Sequence, residues 1–113
     1  MTITLAPKVA AVAVFPANAV DICLRNELYE AAKAEATIRG ISLPSTPAEI
    51  AKAPIPVDSL VVVSILCAVE PIVGFELPEH VVRAGGYTSI DNALEHLLPR
   101  IEAQWNKRNG AKP

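Results

Sequence analysis

The segment from Ser59 to Val69 constrains the fold most, because it contains no charged residue. Its apolar residues recur at helical spacing, and Pro71 predicts that the helix ends or kinks there. The main stripe consists of Val62, Ile65, Leu66, Val69 and Val73. A second stripe, on another face, consists of Leu60, Val63 and Cys67. A helix that is apolar around most of its circumference lies centrally in a core or shares a face with a partner.

Two further long helices are predicted, one on each side of this segment. Asp21 to Arg39 has apolar residues at helical intervals, and Gly40 follows as a typical helix stop. A capping box at residues 88–91 opens the last helix, which Pro99 should bend or interrupt. A short piece at residues 79–83 completes an all-α bundle of three main helices plus one short helix.

The connection from Gly40 to Val57 contains four prolines and is predicted to be a loop. Within it, Thr46, Pro47 and Glu49 have the spacing of a helix start, so a single turn through Lys52 is expected. A loop of this length in a compact domain is usually either functional or disordered. The motif that follows it favours a functional loop.

A chain of 113 residues has room for one compact core. We predict an N-terminal extension at residues 1–19, a helical domain at 20–104 and a polar tail at 105–113. Residues 9–15 are apolar and precede Ala17-Asn18-Ala19, which also resembles the cleavage site of an exported protein. Residues 1–7 carry no positive charge, so an extension packed on the domain is the favoured interpretation.

The net charge of −2 argues against nucleic acid or an acidic membrane surface as a partner. No apolar stretch is long enough to predict a membrane span. Cys23 and Cys67 lie in apolar helical segments without metal-ligand spacing. They are expected to be buried, reduced thiols, and the expected location is the cytoplasm.

The residues Asp58-Ser59-Leu60 begin a stretch that resembles the acyl carrier protein family. The stretch reads DSLVVVSILCAVEPIVGFELPEH, and its helix, its Glu ending and its Leu-Pro pair have the family's spacing. Thr88-Ser89-Ile90 then lies where the family opens its last helix. The resemblance covers residues 58–98 well, residues 20–39 only as a helix, and residues 1–19 not at all.

This resemblance implies that Ser59 carries a covalent 4'-phosphopantetheine arm, with Asp58 and Leu60 completing the motif. A phosphodiester at a helix start faces unpaired N–H groups and the positive end of the helix dipole. The arm's thiol would hold an acyl or aminoacyl group as a thioester for a biosynthetic pathway, without catalysis by the carrier itself. The implied partners are a phosphopantetheinyl transferase and a dedicated ligase or acyltransferase. The alternative is that Asp58 and Ser59 only cap the helix.

Two features depart from the family pattern. Pro56 and Val57 replace the glycine that usually precedes the Asp-Ser pair, and the helix lacks the acidic residues that dock on synthase enzymes. The docking positions are instead Val61, Val63, Ser64 and Cys67. This predicts an apolar surface for a dedicated partner, for a homodimer, or for cover by residues 3–15 of the same chain. A carrier-like assembly module without a prosthetic group is the alternative function.

Other chemistry-bearing residues form no motif. His80, His96 and the two cysteines lack metal-ligand or Cys/His spacing. Glu95 and Glu102 are assigned to solvated faces, and Gly85-Gly86 is predicted to be a turn that is too short for a phosphate-binding loop. We therefore predict that the protein is not an enzyme.

Overall fold

The computed structural model describes residues 14–109, which form a small all-α bundle. The predicted fold class is confirmed. The elements in chain order are α1 (Ala17–Arg39), α2 (Pro47–Lys52), α3 (Ser59–Val73), a 3-10 turn (Glu79–Val81) and α4 (Ile90–Arg108). The part of the predicted extension at residues 1–13, with most of the proposed cover from residues 3–15, lies outside the described residues.

The bundle is organised around α1, which packs against both α3 and α4. The buried residues of α1 recur every four positions and form one narrow stripe: Val20, Leu24, Leu28, Ala32 and Ala36. α3 buries the predicted main stripe of Val62, Ile65, Leu66, Val69 and Val73. α4 buries Ile90, Ala93, Leu94, Leu97 and Ile101. The core is therefore aliphatic and continuous through the three long helices.

Neither internal proline ends its helix where the sequence suggested. α3 continues past Pro71 to Val73, and Gly74 ends it with a left-handed φ of 90°. α4 runs through Pro99 to Arg108, because Leu97 and Ile101 on either side of the proline are fully buried. Packing of this kind outweighs the lost backbone hydrogen bond. Of the two outcomes predicted at Pro99, a bend or an interruption, the interruption is wrong.

The predicted start signals of α2 and α4 are confirmed by their hydrogen bonds. The Thr46 hydroxyl accepts from Glu49 N at 3.2 Å, so α2 begins where its capping residues predicted. The Ser89 hydroxyl accepts from Asn92 N at 3.0 Å and caps α4. Among residues 14–109, no helix has the length and apolar character needed to cross a membrane.

The described ends of the chain meet on one side of the bundle. Phe15, which precedes α1, packs edge-on against Trp105 of α4 with ring centroids 6.0 Å apart. α1 thus starts within the segment predicted as extension, and residues 105–108 of the predicted tail are helical.

Candidate functional site

Ser59 is the first residue of α3, and its neighbour Asp58 is the N-cap. Asp58 Oδ1 accepts from Leu60 N at 2.8 Å, and Asp58 O accepts the first intrahelical bond from Val62 N at 3.1 Å. The capping role therefore falls to Asp58 rather than to Ser59. The Ser59 side chain is half-buried at the protein surface, with its hydroxyl not used for the cap.

The segment before Ser59 is held by a backbone pairing that is distant in sequence. Val57 N donates to Tyr87 O at 2.9 Å, and Tyr87 N donates to Val57 O at 3.0 Å. This antiparallel bridge stands outside any strand, and both residues are buried. The position of Ser59 is therefore set by the turn before α4 as well as by its own helix.

Gly86 makes this pairing possible. Its φ is 85°, and a Cβ added there would lie 2.3 Å from Val57 O and 3.0 Å from Ser59 N. Only glycine fits so close an approach of two backbones. The family resemblance implies a glycine just before the Asp-Ser pair. Here a glycine on the opposite segment allows the close approach, and it faces Val57 and Asp58.

Tyr87 is anchored by its hydroxyl as well as by its backbone. The hydroxyl oxygen accepts from Arg83 N at 2.9 Å and lies 2.7 Å from Nδ1 of His96. Burial, reinforced by the charges of Arg83 and Arg100, lowers the pKa of His96. We therefore assign a neutral imidazole whose Nδ1 accepts the Tyr87 O–H. Burial also raises the pKa of Tyr87, which keeps its hydroxyl protonated.

Sequence reasoning missed Gly86, Tyr87 and His96 as parts of the site. The pair Gly85-Gly86 was interpreted only as a turn. Glycine often marks a place where a second backbone approaches closely, so Gly86 was a usable signal. Sequence spacing could not show that the approaching backbone is the segment before Ser59.

A recess of ≈ 420 Å³ opens on one side of Ser59. Its charged residues are Glu35 and Arg39 from the end of α1, together with Asp58. Arg39 forms an ion pair with Glu35 one turn earlier on α1. The recess therefore brings one guanidinium and two carboxylates near the Ser59 end of α3.

A second groove, of ≈ 510 Å³, runs between α1 and α3 on the other side. Its α3 wall contains Leu60 and Val61, which are 76% and 42% exposed. Glu27 and Glu30 of α1 line its opposite wall. An apolar surface with an acidic border therefore lies directly beside Ser59.

The predicted docking residues divide between two environments. Val61, Ser64 and Cys67 are exposed, whereas Val63 is half-buried and packs on the core. Cys67 was expected to be buried, and this expectation is wrong. It lies seven residues after Leu60 and so shares its outward face.

The outward face of α3 is uncharged over most of its length. Glu70 is the single charged residue of α3, and its carboxylate accepts from Leu77 N at 2.9 Å. The carboxylate thus fixes the chain after α3, and Leu60, Ser64, Cys67 and Pro71 are the exposed residues along the remainder of that face.

The two histidines and two cysteines do not assemble into a site. Within residues 14–109 there is no cluster of three or more His, Cys, Asp or Glu side chains suited to a metal ion. Cys23 is half-buried on α1, where burial and then the charge of Glu27 raise the pKa of its thiol. Its thiol is therefore less reactive than an ordinary one.

Comparison of the chain with family models, with curated proteins and with solved structures gave no match. The resemblance carried by residues 58–98 thus remains a hypothesis about function, to be judged on the geometry around Ser59.

Proposed function

We propose that the protein is a stand-alone carrier that holds an acyl or aminoacyl group on a 4'-phosphopantetheine arm at Ser59. The observation that carries this proposal is the division of roles at the start of α3. Asp58 supplies the cap bond to Leu60 N, and the adjacent Ser59 hydroxyl is left for covalent attachment.

The surroundings of Ser59 suit a phosphodiester. The residue stands at the N-terminus of a 15-residue helix, where the dipole favours negative charge. Arg39 lines the adjacent recess and offers a cation, although Glu35 and Asp58 offset its charge. The recess and the exposed Leu60 leave room for a transferase to approach the hydroxyl.

Attachment makes a bond between Ser59 Oγ and phosphorus. The hydroxyl proton passes to the transferase, and a nucleotide leaves from the pantetheine donor. The family resemblance implies that Asp58 would help the transferase engage its metal ion. When bound, the arm supplies a thiol that carries the cargo as a thioester. Ser59 needs no activating base of its own, because the transferase provides the activation.

The partners of a loaded carrier would dock beside the arm. Leu60, Val61, Ser64 and Cys67 form an uncharged surface that begins at Ser59. A dedicated ligase or acyltransferase would bind this surface through apolar contacts rather than through long-range electrostatic attraction. A specialised biosynthetic pathway suits it better than general fatty-acid synthesis.

The same surface favours a second candidate function. Exposure of Leu60 and Val61 beside an apolar groove fits an assembly module that binds a protein, or a second copy of this chain, without any prosthetic group. In that case Ser59 would only begin a helix that Asp58 caps.

Intact mass spectrometry after incubation with a broad-specificity phosphopantetheinyl transferase and coenzyme A separates the two functions. We expect addition of one phosphopantetheine, and its loss in Ser59→Ala. Ser64→Ala, five residues further along α3, is the control and should still be modified. An unmodified wild type contradicts the carrier proposal and leaves the assembly module. An addition that survives Ser59→Ala contradicts Ser59 as the attachment point.

A further inference from the structure

The Tyr87 side chain links the start of α3 to a titratable group on α4. The Tyr87 backbone pairs with Val57, two residues before Ser59, and its hydroxyl lies 2.7 Å from Nδ1 of His96. Tyr87 is only 3% exposed, so its ring is confined by close packing. A change in the hydrogen bond to His96 therefore acts on the segment that precedes Ser59.

We propose that His96 is a positioning residue for Ser59, acting through Tyr87, and that protonation of its imidazole loosens the pairing that presents the Ser59 hydroxyl. The inference rests on the proposed carrier function for the role of Ser59. It deepens that function by naming a regulation of the same site, namely dependence of Ser59 presentation on pH.

The hydrogen bonds explain why protonation matters. Tyr87 Oη already accepts the N–H of Arg83, and with the tautomer assigned above its own proton is donated to Nδ1 of neutral His96, 2.7 Å away. A proton on Nδ1 turns this acceptor into a donor, so the Tyr87 hydroxyl proton loses its partner. A half-buried donor left unpaired is unfavourable, and the structure relieves it by moving Tyr87 or His96.

The charges that face His96 act in the same direction. Arg83 approaches from the loop before α4, with its guanidinium carbon 5.1 Å from the centre of the Tyr87 ring. Arg100 lies one turn further along α4 and is held by bonds to the carbonyls of His80 and Val81. Both groups are cations, so a protonated His96 is repelled from the loop and from its own helix.

The close approach of Gly86 transmits the movement to Ser59. The Cα hydrogen of Gly86 faces Val57 O and Ser59 N, with no space between the two backbones. A shift of residues 86–87 toward α3 therefore displaces Val57, Asp58 or Ser59, and a shift away from α3 breaks the two hydrogen bonds between Val57 and Tyr87. Buried bridges of this kind open as a unit rather than deform gradually.

Amide hydrogen exchange of Val57 and Tyr87, measured by NMR on the unmodified chain, tests this link. After correction for intrinsic rates, we expect protection of both amides to fall roughly tenfold as the pH is lowered from about 8 to well below 6.5, the ordinary pKa of histidine. Leu28 on α1 should show no comparable change. His96→Asn retains an acceptor near the Nδ1 position without titrating, so protection in this variant should stay high at both pH values.

His96→Leu removes the hydrogen-bond acceptor, so both amides should show low protection at both pH values. Tyr87→Phe removes the hydroxyl but keeps the ring, and it should show the same low protection. A pH dependence that survives in His96→Asn, or full protection in both His96→Leu and Tyr87→Phe, overturns the inference.

In a loading assay with the transferase, the KM for the carrier should rise in His96→Leu and recover in His96→Asn. If no variant is loaded, the carrier proposal fails while amide exchange still decides the link.

Discussion

The two sides of α3 are built from similar side chains but have different roles. Leu66 and Val69 are buried against the bundle, whereas Leu60 and Val61 of the same apolar helix are exposed. The N-terminus of α3 shows the same contrast. One side of it is held by Asp58 and Gly86, and the other opens onto a groove.

This contrast teaches that apolar character alone does not assign a residue to the core. We call the side of α3 that carries Leu66 and Val69 the held side, and the side that carries Leu60 and Val61 the open side. Changes on the held side should alter the free energy of unfolding. Changes on the open side should alter binding and leave the fold intact.

The largest effect is expected for truncation of the held side. Leu66→Ala should lower the free energy of unfolding by about 2–5 kcal/mol, because it removes buried methyl groups and leaves a cavity. Leu60→Ala is the matched control on the open side and should change it by less than about 0.5 kcal/mol. Urea denaturation measures both. Equal losses in the two variants would contradict the division of α3 into two sides.

Gly86→Ala should lower the free energy of unfolding by about 2–3 kcal/mol, because the new Cβ collides with the Val57 carbonyl and the backbone φ is positive. Gly85→Ala is a close control, since its φ is 91° but nothing lies within 4 Å of the added Cβ. It should lose only about 1 kcal/mol from backbone strain. Thermal melts of the two variants separate the steric collision at Gly86 from the backbone strain that both variants share. Identical melting temperatures would show that the close approach of Gly86 does not affect stability.

Asp58→Ala should lower the free energy of unfolding by about 1 kcal/mol through loss of the cap bond to Leu60 N. Ser59→Ala should change it by less than about 0.5 kcal/mol, because Ser59 does not supply the cap. Chemical denaturation of both variants tests the assignment of roles. A larger loss in Ser59→Ala than in Asp58→Ala would show that the serine has the structural role.

Stability should depend on pH through His96. Its pKa in the folded state lies below its ordinary value of 6.5, so the unfolded chain binds more protons between the two values. The contribution of neutral His96 is fully present above about pH 6.5 and is lost as the pH falls through 6.5 toward the folded-state pKa. The urea midpoint of the wild type should therefore fall more on acidification than that of His96→Asn. Parallel curves would contradict this.

The smallest effect on stability is expected for Val61→Glu on the open side. The side chain is 42% exposed, so the melting temperature should stay close to that of the wild type. A charge in the groove should nevertheless weaken association with a second copy or with a dedicated enzyme. Light scattering of wild type and variant, alongside thermal melts, measures both properties. A stable variant with unchanged association would exclude this face as the docking surface.

The sequence by itself was sufficient for the existence of the helices and for the starts of α2, α3 and α4, whereas α1 begins at Ala17, before the predicted Asp21. Periodic apolar residues located α1, α3 and α4, and short polar signals located the caps at Thr46 and Ser89, because both depend on contacts within a few residues. The motif Asp58-Ser59-Leu60 likewise placed the candidate serine at a helix start. Pro99 misled the prediction, since the packing of Leu97 and Ile101 that keeps α4 continuous is not a local property.

Only the tertiary structure decided what surrounds Ser59. Pairing of Val57 with Tyr87, the close approach of Gly86 and the bond to His96 join residues that are distant along the chain. The outward position of Cys67 was decided in the same way, by which face of α3 the other helices cover. Helical periodicity specifies which residues share a face, whereas packing partners determine which face is buried.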